Sequence, residues 1–418
     1  MRRTLVPDLI LDSDGARSGM SVTVEDGKVV DIEPSKEGER LPGCALAPGF
    51  VNDHSHAFQR GLRGRVEHRD AGHPRDDFWT WRGRMYELAG SLDPTSMQQI
   101  AGRCYREMLA AGYTGVTEFH YVHHRDDGTL YADPNTLAKA VVEAASTAGI
   151  RLLLLPTAYA RGGIPRFQDA SLEAFLQRVD ALREWATNRS LVEVGVAAHS
   201  VRAVPRGWLE EIAAYAREND LSLHIHACEQ PHEVEECLRE HGMGPIELLA
   251  ETEFLGPRTT IVHATHADEN DLDLLSSHDS GVCVCPTTEG NLGDGFAPAE
   301  GILGRGIRLS VGSDQHVRLD PFEELRELET NARRVAGRRN VLLADGDSSP
   351  TPYLLRAAWQ RERLEPGALA DLIEIDLAHH EVSGIEPESL NPALVFGAGR
   401  DVVAASWVDG ERVYRRGT

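Results

Sequence analysis

His54 and His56 are the first residues along this chain whose types and spacing could bind a metal ion. They follow an apolar run in "PGFVNDHSHAFQRGLRG", and a spacing of two places both side chains on the same face of an extended strand. Because the chain contains 18 histidines, a His-x-His pair arises easily by chance. Its significance depends on which other residues can complete a site around it.

Three further polar residues stand at the ends of similar apolar runs. His226 ends "LHIH", His263 ends "IVH" and Asp314 ends "SVGSD", while Glu229 follows His226 by three residues. Three imidazoles and a carboxylate suit zinc or ferrous iron, with one coordination position left for water. His224 alternates with His226 and competes for the same role. We favour His226 because it lies nearer to the strand end.

These residues belong to a repeating pattern of strands and helices. Short β-rich runs alternate with helix-compatible segments over roughly 320 residues, which predicts parallel β/α units. Eight such strands close a barrel, and its active site lies at the carboxyl ends of the strands. The eight runs are "GFVNDH", "GYTGVTEF", "IRLLLLPTAY", "LVEVGVAAHS", "LSLHIHACE", "TTIVHAT", "GVCVCPT" and "IRLSVGSD".

Both ends of the chain contain alternating runs around Asp-Gly turns, in "SVTVEDGKVVDIEP" and in "VVAASWVDGERVYRRG". This pattern is typical of β-hairpins. The predicted fold class is therefore α/β, a (β/α)8 TIM-type barrel with a small β-sandwich domain built from both termini. We expect the sandwich in residues 1–48 plus 367–418 and the metal-dependent hydrolase barrel in residues 49–366.

Composition excludes several classes of partner. The net charge of −23 argues against a nucleic acid or an anionic membrane, since either needs a basic face. It does not argue against a small anionic substrate, which senses only local charge. No stretch approaches 18 consecutive apolar residues, so we expect no membrane span. Six scattered cysteines without a disulfide-rich spacing favour a reducing cytoplasm.

Lysine is informative because it is rare. The chain contains only Lys28, Lys36 and Lys139, and none of them ends a predicted barrel strand. Barrel hydrolases with two metals often bridge them with a carbamylated lysine from the fourth strand, where this chain has "AAHS". We therefore expect one metal ion per chain.

Several of these strings resemble a known family. "PGFVNDHSHAFQR", "HIHACEQ", "VHATH" and "GSDQH" together resemble the amidohydrolase superfamily, over essentially the whole chain. "HSHAFQRGLRG", "DDFWTWRGRMY", "FHYVHH", "AHSVRAVP" and "CPTTEGNLGDG" more specifically resemble the formimidoylglutamate deiminases of histidine degradation. Gln315 departs from that pattern, in which we expect a serine, and this departure bears on substrate selectivity.

The resemblance implies a role for each candidate residue. One zinc ion would be held by His54, His56, His226 and Asp314. Proton transfer would involve Glu229 and His263, and Asp314 would also take the proton of the attacking water. Substrate binding would involve Gln59, Arg82, Tyr121, His199 and Arg202. The resemblance also implies a homodimer, and it leaves iron possible in place of zinc.

The implied reaction is hydrolysis of N-formimino-L-glutamate to N-formyl-L-glutamate and ammonia. Arg202, just after the fourth run, supports a carboxylate-bearing substrate independently, because an arginine fork binds a carboxylate at two points. The alternative is an aminohydrolase acting on a purine or pyrimidine ring or on another amidine. A ring substrate would need an aromatic, amide-lined pocket rather than two arginines. A non-catalytic scaffold should have lost ligands, and here every one is present.

Overall fold

Two hydrogen-bonded sheets organise the chain, one built from its two ends and one from its middle. The computed structural model describes residues 2–34, 37–69, 76–360 and 364–417. Lys36, named above, lies outside the described residues.

The terminal sheet has the strand order β17-β16-β15-β5-β1-β3-β4, with β2 paired to β1. Strands β1 and β5 are parallel and the other neighbours are antiparallel. Asp26 and Asp409 have positive φ angles of 47° and 55°, as does the glycine after each. Asp-Gly pairs adopt this backbone in two-residue hairpin turns. The strands are β1 Arg3–Asp12, β2 Gly15–Ser18, β3 Ser21–Glu25, β4 Lys28–Glu33, β5 Glu39–Pro48, β15 Leu372–Asp376, β16 Val403–Val408 and β17 Glu411–Arg415.

The second sheet is parallel and curls into a barrel. Its last strand meets its first through a bridge between Ser55 and Asp314. Gly312 permits this approach, because a Cβ at that position would lie 2.7 Å from the Cβ of His54. The barrel strands are β6 Phe50–Ser55, β7 Tyr113–His120, β8 Arg151–Ala158, β9 Val192–Val194, β10 Val196–Ser200, β11 Leu223–Ala227, β12 Thr259–His263, β13 Gly281–Val284 and β14 Leu309–Val311.

Helices connect the barrel strands and cover the outside of the barrel. Several begin at an aspartate whose carboxylate accepts hydrogen bonds from the first-turn N–H groups, as at Asp77, Asp93, Asp268 and Asp320, which is a favourable helix cap. The helices are α1 Phe78–Ser91, α2 Pro94–Ala110, α3 Thr136–Ala148, α4 Leu172–Ala186, α5 Arg206–Glu218, α6 Pro231–His241, α7 Pro245–Glu251, α8 Glu269–Ser277, α9 Pro286–Leu292, α10 Ala299–Gly304, α11 Pro321–Ala336, α12 Thr351–Trp359 and α13 Pro387–Gly397.

The predicted fold is confirmed, with a parallel barrel and a separate sheet built from both termini. Each predicted run forms a strand, and the fourth is interrupted at Gly195 between β9 and β10. The domain limits at residues 48 and 367 stay a prediction, and the two sheets fall on the expected sides of them. Within the described ranges, no helix combines the length and the apolar character that crossing a bilayer requires.

Candidate active site

The barrel strands bring the predicted metal-binding residues together at their carboxyl ends. His54 lies within β6 and His56 follows it, His226 lies within β11, and Asp314 follows β14 by three residues. The Asp314 N–H donates to the His54 carbonyl at 3.0 Å, and the Asp314 carbonyl accepts from the His56 N–H at 3.1 Å. The backbone contacts that close the barrel therefore also fix the carboxylate relative to the two histidines.

Four side-chain atoms converge at this rim. The Nε2 atoms of His54 and His226 are 3.1 Å apart. The Asp314 Oδ1 atom lies 3.5 Å from the Nε2 of His54 and 3.4 Å from that of His56. Ligand atoms on a tetrahedral zinc ion, with Zn–N distances near 2.0–2.1 Å, lie about 3.3 Å from one another. The three measured spacings, 3.1, 3.4 and 3.5 Å, are those expected between neighbouring ligands of one metal ion.

Hydrogen bonds identify which ring nitrogens carry protons. The Nδ1 atoms of His56 and His226 lie 2.9 Å from the carbonyls of Phe119 and His199. A carbonyl only accepts, so both Nδ1 atoms are donors and both Nε2 atoms of the neutral rings carry lone pairs. Burial, aided by the neighbouring His54, lowers the pKa of His56 to about 3 and that of His226 well below its usual value.

This donor set fits a metal cation. The Nε2 atoms of His56 and His226 and the Oδ1 of Asp314 are all acceptors, and the neutral His54 ring can offer a single proton between them. One proton cannot satisfy three converging acceptors, whereas a divalent cation can. The pKa of His54 is also held well below its usual value, by burial and by His263, which favours the lone-pair form that a metal requires.

Beside these atoms lies a group of residues suited to proton transfer. The Nε2 atom of His263 is 3.8 Å from Glu229 Oε1 and 3.9 Å from Asp314 Oδ2. Burial alone would lower the pKa of His263, but the carboxylates of Glu229, Glu289 and Asp314 raise it well above its usual value. Burial raises the pKa of Glu229 to about 7. An acid with a pKa near neutrality can both donate and accept a proton.

The backbone holds two of these residues in an uncommon conformation. His263 and Asp314 have φ angles of 73° and 45°, in the left-handed region that non-glycine residues rarely adopt. Such strain persists only where the surrounding structure imposes it, and it is concentrated at functional sites. In both cases it turns a side chain at a strand end towards the same point.

A cavity of about 590 Å³ opens above this rim. The five predicted substrate-binding residues line it, together with all the metal and proton-transfer residues except the fully buried His54. Aromatic side chains form much of the remaining wall, including Trp79, Tyr86, Tyr159 and Phe167. The structure thus places every predicted site residue except His54 at the wall of one cavity, and His54 lies 3.1 Å from the lining residue His226. The individual roles stay predictions.

His199 reaches the cavity through an irregularity in β10. The register of β10 against β11 shifts between Ala198 and Ser200, so His199 is the extra residue of a bulge. Bulges redirect a side chain and are frequent next to active sites. The carbonyl of the same residue accepts from the His226 Nδ1 atom, and its ring lines the cavity.

Two arginines supply positive charge at the cavity. The guanidinium of Arg82 stacks over Trp79, 4.3 Å from the ring centroid, and that of Arg202 lies 5.9 Å from the same ring. Arg161 also lines the cavity, but its guanidinium is bound to both carboxylate oxygens of Glu240. Arg82 and Arg202 are therefore the cations best placed to meet an anionic ligand.

Comparison with known proteins identifies the family. The model of the amidohydrolase family matches residues 45–413 of this chain. The chain belongs to the amidohydrolase family. A formimidoylglutamate deiminase from Pseudomonas aeruginosa is 40% identical to it over 410 residues, which cover 92% of this chain and 89% of that protein. A 5-methylthioadenosine/S-adenosylhomocysteine deaminase from Haloarcula marismortui is 26% identical, with coverage of 90% and 83%.

Solved amidohydrolase structures have the same fold. The crystal structure of an amidohydrolase from Brucella melitensis gives a TM-score of 0.89 at 32% identity, covering 99% of this chain and 96% of that one. An adenosine deaminase from Xanthomonas campestris, solved with bound zinc, gives a TM-score of 0.83 at 22% identity, with coverage of 98% and 92%. The amidohydrolase family is metal-dependent, and two buried clusters that share His54 are the candidate site in this member, namely His54, His56 and Asp314 and His54, His226 and His263.

Sequence reasoning missed one residue of this amidohydrolase site. Glu289 Oε1 accepts from the backbone N–H of Cys285 at 2.8 Å and lies 3.2 Å from the Nδ1 atom of His263. The signal for it was present, because "GVCVCPTTE" places an acidic residue just beyond the seventh strand. Its carboxylate orients the His263 ring from the side opposite Glu229 and Asp314.

The structure shows where two residues lie whose roles the sequence left undecided. Gln315 is buried, donates to the Asn291 side chain at 2.8 Å and is not among the residues that line the cavity. His224 is also buried, and the clusters of described residues able to hold a metal include His226 but not His224. The preference for His226 thus agrees with the geometry, and Gln315 can act on the cavity only through its neighbours.

Proposed function

We propose that this amidohydrolase hydrolyses N-formimino-L-glutamate to N-formyl-L-glutamate and ammonia. The observation that carries the proposal is one cavity that joins the proton-transfer group to two arginines, Arg82 and Arg202. A glutamate derivative brings two carboxylates, and desolvating an unpaired carboxylate costs several kcal/mol. The formimidoylglutamate deiminase that is 40% identical over 92% of this chain supports the same reaction.

The side chains divide the chemistry between them. In the proposal, Asp314 accepts the proton of the attacking water, and Glu229, with a pKa of about 7, passes a proton to the departing nitrogen. His263 donates a hydrogen bond to the attacking oxygen, which stabilises the tetrahedral intermediate. Burial of this group excludes bulk water and strengthens each of these interactions.

We propose zinc as the metal and one ion per chain, held by His54, His56, His226 and Asp314. When bound, it supplies Lewis-acid activation of water near neutral pH. Iron(II) suits the same donors. The two described lysines, Lys28 and Lys139, lie in β4 of the terminal sheet and in helix α3, so neither stands in a barrel strand, which supports a mononuclear site.

A substrate panel tests the proposal. Zinc-loaded protein is assayed for ammonia release from N-formimino-L-glutamate, formamidine, 5′-methylthioadenosine and guanine. We expect kcat/KM for formiminoglutamate to exceed the other values by about 10² or more, since a buried charged pair contributes roughly 3 kcal/mol. If the enzyme ignores formiminoglutamate and deaminates a neutral ring, the proposal is wrong and ring aminohydrolysis takes its place.

The proposal extends to the ligand, the oligomeric state and the cellular location of the protein. The proposed ligand is a small anionic substrate. The homodimer rests on the resemblance to formimidoylglutamate deiminases, and the cytoplasmic location rests on the scattered cysteines. All six cysteines are free thiols in the structure, as the reducing compartment requires.

A further inference from the structure

Glu233 is a buried charged residue to which the proposed chemistry assigns no role. It lies near the start of α6, is 0% exposed, and its Oε2 atom accepts from the backbone N–H of Glu229 at 3.1 Å. A glutamate at the third position of a helix commonly reaches back to cap the N–H groups before it. This contact uses only one of its two carboxylate oxygens.

The other oxygen faces Arg202. Glu233 Oε1 and Arg202 Nε are both buried, both lack a hydrogen-bond partner among the described residues, and lie 3.9 Å apart. Burial of a guanidinium without a counter-charge is strongly unfavourable, and Glu233 is the foremost of the groups that raise the pKa of Arg202 against the effect of burial. At 3.9 Å the attraction is Coulombic, without a hydrogen bond.

We propose that Glu233 is a positioning residue that holds the Arg202 guanidinium at the cavity while its second oxygen fixes the backbone of Glu229. The inference rests on the proposed function, in which Arg202 binds a substrate carboxylate. Because the pair is Coulombic only, Arg202 keeps its N–H donors for the substrate. One buried carboxylate thereby connects carboxylate recognition to the placement of the proton-transferring residue.

Helix capping by itself does not account for this arrangement. Capping requires one acceptor oxygen, which a glutamine also offers, and it requires no charge. The other glutamates of this helix, Glu235, Glu236 and Glu240, have side chains that are 71%, 39% and 48% exposed. Glu233 alone among these four is fully enclosed, and it is the one that faces the Arg202 guanidinium.

The first experiment compares Glu233→Gln with Glu233→Ala. Glutamine retains an acceptor for the Glu229 N–H but loses the charge, so KM for formiminoglutamate should rise about tenfold with kcat within about threefold of wild type. Alanine removes both contacts, so kcat should fall as well. Glu235→Gln on the exposed face of α6 is the matched control and should behave as wild type, and unfolding temperatures check that each variant is folded.

A double-mutant cycle with Arg202→Met decides the mechanism. In that background Glu233→Gln should change KM less than about twofold, since no guanidinium remains to be positioned. An equal increase in KM with and without Arg202, or a wild-type KM in the single variant, would overturn the inference.

Binding of glutarate, a dicarboxylate without the amidine, separates this inference from the proposed function. Calorimetry should show about tenfold weaker binding in Glu233→Gln, and only when Arg202 is present. If wild type releases no ammonia from formiminoglutamate, the proposed function fails, and the glutarate affinities still decide the role of Glu233. Equal glutarate affinity in wild type and Glu233→Gln overturns the inference whatever the substrate.

Discussion

Replacing Glu229 with glutamine is the sharpest test of the proposed chemistry. Glutamine preserves the shape of the side chain and cannot transfer a proton. The residue is 7% exposed, at the edge of the cavity, so the substitution should leave the barrel and the metal site unchanged. Only the proton-transfer step should be affected.

The expected magnitude follows from the environment of the carboxyl group. Burial raises the pKa of Glu229 from 4.5 to about 7, so about half of the groups are protonated at pH 7, against roughly 1 in 300 for an unperturbed glutamate. At pH 7 the protonated form of Glu229 is therefore favoured, relative to that of an unperturbed glutamate, by roughly 3 kcal/mol. A tenfold change in rate corresponds to about 1.4 kcal/mol, so kcat should fall by about 10² or more, within the range usual for a positioned acid.

The assay is steady-state ammonia release by zinc-loaded enzyme, with metal content measured on the same samples. The kcat of Glu229→Gln should fall while its zinc content stays at the wild-type level. Glu235→Gln is the control, because it shows the effect on kcat of removing a carboxylate elsewhere in the same region. A kcat within tenfold of wild type, with normal zinc, would remove Glu229 from the mechanism.

The remaining predictions concern the metal, the substrate and stability. His226→Ala should abolish both metal binding and activity, and elemental analysis of wild type should give one metal per chain, so two metals would refute the mononuclear site. Arg202→Met should lower kcat/KM for formiminoglutamate by about 10² without changing zinc content, and an equal loss with a neutral substrate would contradict its role. Burial raises the pKa of Asp271 from 3.8 to about 6, so the folded state binds this proton more tightly than the unfolded chain does. The protonated carboxyl therefore contributes its full share to the free energy of unfolding below pH 3.8, and this share is lost as the pH rises through 6. Asp271→Asn should therefore raise the free energy of unfolding at pH 8 by up to about 3 kcal/mol, measured by denaturation at pH 5 and 8. Equal free energies of unfolding for the variant and wild type at pH 8 would show that the ionised Asp271 carboxylate does not destabilise the folded state.

Local patterns in the sequence were enough to predict the barrel and the strand ends that carry its candidate active site. Strand periodicity and buried apolar runs are properties of a few consecutive residues, and parallel strands bring all their carboxyl ends to one rim. Residues at those ends, such as His54, His226, His263 and Asp314, could therefore be named together although they are far apart in the chain.

Only the tertiary structure determined the contacts across the barrel. The Nε2 atoms of His54 and His226 approach to 3.1 Å across 172 positions of sequence. That contact depends on barrel closure at Gly312 and on strand register, which no local pattern specifies. The bulge at His199 and the buried carboxylates of Glu233 and Glu289 are further cases. Whether a glutamate caps a helix, orients a histidine or balances an arginine depends on which neighbours enclose it, because burial and a facing charge together set both its pKa and its partner.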